Sequence, residues 1–108
     1  MSHIIRYHDK KNTKLKEEYI QYGDKCLYKS YYETGELHEE CNYINGLKEG
    51  NYKSYYKNGR LLKECNYTTD KMNDIYKSYF INGQLEVECN YVNGLKEGSY
   101  KSYNMMGM

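Results

Sequence analysis

Four cysteines, three histidines and two adjacent pairs of glutamates are the residues of this 108-residue chain best suited to chemistry. Cys26, Cys41, Cys65 and Cys89 invite a metal or disulfide reading, and their spacing argues against both. Cys41, Cys65 and Cys89 stand 24 residues apart. On strands of a repeating hairpin, such positions are two strands and about 9–10 Å apart. A disulfide needs Cα atoms within about 4.4–6.8 Å, and zinc–sulfur bonds are about 2.3 Å. Free, reduced thiols on an apolar face are expected, with Cys26 outside the ladder. His3, His8 and His38 have no carboxylate or cysteine at ligand or catalytic spacing. Glu17-Glu18 and Glu39-Glu40 cannot converge on one substrate atom, because adjacent strand residues point to opposite faces. The expectation is no catalytic residue, no metal and no cofactor, hence no enzyme.

What remains is tyrosine. Tyr-Lys-Ser-Tyr recurs four times at a spacing of 24, opening at Tyr28, Tyr52, Tyr76 and Tyr100. It runs in phase with Cys-Asn-Tyr at Cys41, Cys65 and Cys89. The fourth residue of each copy forms a second series, Tyr31, Tyr55, Tyr79 and Tyr103, beside Lys29, Lys53 and Lys77. Aromatics interleaved with lysines can stack single-stranded bases, or can form an aromatic anchor for a protein partner.

A fixed period of this length signals a linear array of small units. Asn58-Gly59 and Asn82-Gly83, with Thr34-Gly35 in the first full unit, sit between β-prone runs and predict two-residue type I′ hairpins. That loop sets Tyr56 opposite Leu61, Ser54 opposite Lys63 and Tyr52 opposite Cys65. One face then carries Tyr28, Tyr52, Tyr76 and Tyr100 with Leu37, Leu61, Leu85, Cys41, Cys65 and Cys89, which read as structural. The other carries Tyr31, Tyr55, Tyr79 and Tyr103 with Lys29, Lys53 and Lys77, which read as candidate binding residues. The same register pairs Lys29 with Glu40, Lys53 with Glu64 and Lys77 with Glu88. Opposite charges so placed contribute about 0.2–1 kcal/mol each.

Segments from Asn45 to Gly50 and from Asn93 to Gly98 link successive units. The stretch 1–26 reads as a divergent first repeat and cap. Its turn is longer and its link shorter by even numbers of residues, which preserves the two-residue alternation. Units follow at about 27–50, 51–74 and 75–98, with a partial one at 99–103 and a tail at 104–108. The expected fold is all-β: an elongated single-layer antiparallel meander of repeated hairpins, eight or nine strands, curled toward a trough.

The run Tyr43-Ile44-Asn45-Gly46-Leu47-Lys48-Glu49-Gly50-Asn51-Tyr52, repeated from Tyr91 to Tyr100, resembles the core of a MORN repeat. With Tyr-Tyr-x-Asn-Gly-x-Leu added, the unit is similar to the MORN-variant repeats of toxin–antitoxin-associated bacterial proteins and giant-virus repeat proteins. The resemblance implies an elongated sheet of hairpins used for protein–protein contact, dimerisation or scaffolding. Some relatives carry the antitoxin label.

Composition bounds the partner. Sixteen of seventeen aromatic residues are tyrosine, whose ring can bury while its hydroxyl stays wet. A net charge of +1 gives little pull toward phosphate backbones or anionic lipid. Glu40, Glu64 and Glu88 also offset the lysines of the tyrosine face. The reading is therefore a non-catalytic interaction or scaffolding module. Its partner is a protein or a second copy, met through the sheet edge or the tyrosine face. An antitoxin-like or single-stranded nucleic-acid binder using Tyr and Lys is the alternative, and a membrane is disfavoured. Without an apolar leader at the N-terminus, an intracellular, cytoplasmic protein is expected.

Overall fold

The computed structural model describes residues 2–11 and 13–104; the expected tail beyond Asn104 lies outside the described residues. Nine strands follow in chain order: β1 (Ser2–Tyr7), β2 (Leu15–Tyr22), β3 (Lys25–Tyr31), β4 (Leu37–Ile44), β5 (Leu47–Tyr55), β6 (Leu61–Thr68), β7 (Lys71–Tyr79), β8 (Leu85–Val92) and β9 (Leu95–Ser102). They form one open antiparallel sheet in which every strand pairs only with its neighbours in sequence. The molecule measures 44 × 36 × 15 Å, so a single layer of backbone carries side chains on both faces. Among the described residues, no helix is long and apolar enough to cross a membrane.

Two kinds of hairpin alternate, and they differ from the expected turns. Asn58-Gly59 does not form a type I′ turn. The Tyr56 amide donates to the Arg60 carbonyl at 2.8 Å, and the Gly59 amide donates to the Tyr56 carbonyl at 2.9 Å. Only Gly59 is left-handed, with φ at +88°. This is a type I turn closed by a left-handed glycine, which puts a bulge between Ser54 and Tyr55. Leu61 therefore faces Tyr55 and not Tyr56, while Ser54↔Lys63, Lys53↔Glu64 and Tyr52↔Cys65 stand as expected. All three loops share this geometry, which asks φ > 0 only of Gly35, Gly59 and Gly83. The Asn58 side chain instead accepts the Arg60 amide at 2.9 Å.

The type I′ turns sit in the segments read as links. Asn45-Gly46 has φ of 51° and 82°, and Asn93-Gly94 has 52° and 84°. Each closes a two-residue hairpin, Ile44↔Leu47 and Val92↔Leu95. Thr69-Asp70 does the same at 48° and 69° without a glycine. There the Thr69 amide donates to Glu49 at 3.2 Å, and the Asp70 amide donates to the Lys48 carbonyl at 2.8 Å.

A one-layer sheet has a thin core. Cys41, Tyr52, Cys65 and Cys89 are its buried apolar residues, with Ser30, Ser54 and Ser78 beside them on the same face. Tyr28, Tyr43, Tyr67, Met72 and Tyr76 pack against the central cluster. Leu37, Leu61 and Leu85 are half-buried at the strand starts, opposite Tyr31, Tyr55 and Tyr79 across the bulges.

Candidate functional site

Strand alternation and the registers divide the side chains into two faces. On the packing face, Tyr28, Tyr52 and Tyr76 stand opposite Cys41, Cys65 and Cys89. A second aromatic row, two residues beyond each cysteine, meets them edge to face. The pairs are Tyr28–Tyr43 at 6.3 Å, Tyr52–Tyr67 at 6.0 Å and Tyr76–Tyr91 at 5.9 Å. Such T-shaped pairs favour the edge of one ring against the face of the other. The Lys48 ammonium lies over the Tyr52 and Tyr67 rings at 5.1 and 4.9 Å, and Lys96 lies over Tyr100 at 4.6 Å. The thiols are free. Burial pushes the Cys41 and Cys65 thiols up, which disfavours the thiolate that metal binding and nucleophilic chemistry need. No cluster of three or more potential metal ligands occurs among the described residues.

Glu17 and Glu39 are acceptors that the sequence reading missed. The Tyr28 hydroxyl donates to Glu17 at 2.8 Å, and the Tyr52 hydroxyl to Glu39 at 2.6 Å. Lys63 and Val87 occupy the corresponding places in later repeats, so this bond belongs to the first two units. Burial, then the bond to a carboxylate, pushes both hydroxyls far above the ordinary tyrosine value.

The opposite face carries the candidate binding residues, and the structure gives three of them fixed partners. Tyr31 donates to Glu18 at 2.8 Å, Tyr55 to Glu40 at 2.9 Å and Tyr79 to Glu64 at 3.1 Å. Each bond reaches back across the sheet to the carboxylate of the preceding repeat. Burial, reinforced by the carboxylate, pushes Tyr31 and Tyr55 up to about 12. In return the Tyr31 bond is the main reason the Glu18 carboxyl lies below its usual range. Among the described residues no strand follows Tyr103, which is 47% exposed.

Lys29, Lys53 and Lys77 lie in the expected register, and the row is longer than expected. Glu18, Lys29, Glu40, Lys53, Glu64, Lys77, Glu88 and Lys101 face one another in turn, one per strand from β2 to β9. Within this row Lys77–Glu88 approaches to 3.9 Å. At Glu40 and Glu64 the short contact is the tyrosine hydroxyl, and Glu18 shares its carboxylate between the Tyr31 hydroxyl and His3 Nε2, each at 2.8 Å. The carboxylates therefore do two jobs: they order the tyrosines and cancel the lysine charge.

A third tie crosses between repeats. The Tyr32 hydroxyl donates to the Tyr55 carbonyl and the Tyr56 hydroxyl to the Tyr79 carbonyl, both at 2.6 Å. His8 Nε2 bonds the Tyr31 carbonyl at 2.7 Å from the same repeat position. His38 packs its ring 4.5 Å from Tyr32. His3, expected to have no carboxylate partner, meets Glu18 through Nε2 at 2.8 Å across β1 and β2.

Comparison with known proteins fits this geometry. The profile of the MORN repeat variant matches residues 27–45, 48–68 and 75–93, together more than half of the chain. No curated protein matches the chain significantly. Among solved structures, the chain is similar in fold to the S. aureus TarM G117R mutant in complex with Fondaparinux, alpha-GlcNAc-glycerol and UDP. That likeness has a TM-score of 0.55 at 10% identity, over 85% of this chain and 18% of that one. A second TarM structure gives 0.51 at 10% identity, over 88% and 20%. The chain thus spans no more than a fifth of those proteins, and the likeness is one of fold.

Proposed function

The chain belongs to the MORN repeat variant family, and from that premise we propose that it is a non-catalytic repeat module for protein–protein contact or scaffolding. The observation that carries this reading is the row Tyr31, Tyr55 and Tyr79. Three rings at one repeat spacing have their hydroxyls held by Glu18, Glu40 and Glu64. A tyrosine held this way loses little freedom when a partner covers it, and tyrosine is enriched where proteins meet. Lys29, Lys53 and Lys77 border the row, each between two carboxylates. A surface balanced in this way suits a protein partner of mixed charge.

The same balance weighs against a nucleic-acid binder, which would need unopposed lysines along its groove. A toxin-neutralising role is one form of the protein-partner reading. The test is quantitative capture with the tagged chain against a Tyr55→Ala/Tyr79→Ala variant of unchanged β circular dichroism. Loss of the captured partner from the variant supports the face; equal capture by both proteins refutes it. A salt titration with single-stranded RNA and DNA supplies the other arm, with no binding expected even at low salt.

A further inference from the structure

We propose that the face bearing Tyr31, Tyr55 and Tyr79 binds a proline-rich segment of another protein, held as a polyproline II helix. The segment lies across the strands, with one helical turn for each repeat. This rests on the protein-contact reading above and deepens it by naming the class of partner.

The face carries three parallel rows. The tyrosines form one and the alternating Lys and Glu residues form the second. Asn42, Asn66 and Asn90 form the third, each two residues beyond a glutamate of the charge row. Between the second and third rows the surface sinks into three equivalent notches. Glu40, Asn42 and Lys53 line the first, and their counterparts one and two repeats on line the others. Their volumes are about 150, 280 and 180 Å³. A small-molecule cleft takes about 300–1,000 Å³, so three shallow copies suit a polymer with the same repeat. Asn42, Asn66 and Asn90 are half-buried, and among the described residues their carboxamides make no hydrogen bond.

Spacing selects the polymer. Successive notches are two strands apart, about 9.4–9.8 Å. A polyproline II helix advances about 9.3 Å in its three-residue turn, so one side of the rod meets all three notches within about 1 Å. Two turns of α-helix make about 10.8 Å and drift by about 1.0–1.4 Å at every notch. An extended strand returns the same side every 6.6–6.8 Å or so, and misses the second notch. The sheet is only 15 Å in its smallest extent, so the rows stay near one plane that a straight rod can follow. The chemistry agrees with the spacing. Polyproline II has no internal hydrogen bonds, and the asparagine carboxamides can donate to one of its carbonyls per turn. The tyrosine rings, their hydroxyls held by Glu18, Glu40 and Glu64, offer proline rings an aromatic surface at the same period. Lys29, Lys53 and Lys77 each sit between two carboxylates, so the row asks no net charge of the partner.

The experiment is fluorescence anisotropy of the full chain with labelled oligoprolines of one, two and three turns. Affinity should rise several-fold with each added turn, as each new turn reaches a further notch. Asn66→Ala should weaken binding of the three-turn probe roughly fivefold. Asn66→Asp keeps the size and removes the donor, so it should weaken binding at least as much. The Asn42→Ala/Asn66→Ala/Asn90→Ala variant should lose measurable binding, with circular dichroism checking that each protein is folded. A helical peptide of Glu-Ala-Ala-Ala-Lys repeats and a linear β-1,4-glucan of matching length serve as competing rods. No affinity for oligoproline, affinity indifferent to its length or to the asparagine changes, or tighter binding of either competing rod would each overturn the proposal. Capture of a partner that depends on Tyr55 and Tyr79, by a chain that ignores oligoproline, would overturn the polyproline partner alone and leave the contact face standing.

Discussion

Alkali should destabilise this protein through its tyrosines. Tyr31, Tyr43 and Tyr55 are pushed from 10.0 up to about 12, chiefly by burial of the hydroxyl end. A raised folded-state value means that the fold favours the neutral phenol, while the unfolded chain ionises near 10. The stabilisation is therefore complete below pH 10, shrinks as pH rises, and is gone once the folded-state value of about 12 is passed. Two units correspond to about 2.7 kcal/mol per ring. These rings are only half-buried, and halving for solvent screening leaves about 1.4 kcal/mol each, or about 4 kcal/mol for the three. Tyr28 and Tyr52 add to this with the same sign. Small domains have roughly 5–15 kcal/mol in total, so about a quarter to four fifths of the margin should vanish by about pH 12. Urea unfolding followed by β circular dichroism, in steps from about pH 8 to about pH 11, reads the effect. Tyrosinate absorbance under native conditions reads it from the other side. The urea midpoint should fall steadily above pH 10, and Tyr55→Phe should make that fall shallower. A midpoint flat to about pH 11, or all tyrosines ionising near 10 with the sheet intact, would refute the reasoning.

Other expectations follow from single positions. Tyr56→Phe removes the hydroxyl bond to the Tyr79 carbonyl and should cost about 1 kcal/mol. Phe80 occupies the same repeat position without a hydroxyl, so Phe80→Tyr should stabilise the β8–β9 end by up to about 1 kcal/mol through the Tyr103 carbonyl. Urea midpoints check both, and a shift of opposite sign in either contradicts the repeat logic. Native protein should expose the Cys26 thiol to a thiol reagent well before Cys41, Cys65 and Cys89, which should react only as the sheet opens. Mass mapping of early adducts decides this, and early labelling at Cys65 would rule out the buried ladder. Asn45→Ala should cost about 1–2 kcal/mol because Asn45 sits at φ of +51°, a conformation alanine resists. Asn58→Ala should cost less, since Asn58 lies outside the left-handed region and loses mainly its bond to the Arg60 amide. Equal losses would mean that the two turns are of one type.

The main face assignments were legible because period-2 alternation and a 24-residue repeat reinforce each other. Tyr52 against Cys65 and Lys53 against Glu64 follow from counting alone, and the copies at Lys29 and Lys77 repeat the answer. The turn types were less legible. Asn58-Gly59 and Asn45-Gly46 carry the same dipeptide, yet only the second is type I′. The bulge before Tyr56 accompanies that difference, and it is not a property of the dipeptide.

The meander and the mid-strand register follow from strand alternation and a fixed repeat length, while the bulges beside the turns do not. The sequence by itself also determined the charge row, because a cross-strand partner is a matter of counting. Only the tertiary structure decided where the tyrosine hydroxyls go. Tyr31, Tyr55 and Tyr79 reach diagonally past the facing lysine to a carboxylate, a choice set by ring length and sheet geometry. It likewise decided that one residue type at one repeat position can be core or surface. Tyr52 is buried because strands flank it on both sides, and Tyr100 is exposed because, among the described residues, β9 has a neighbour on one side only.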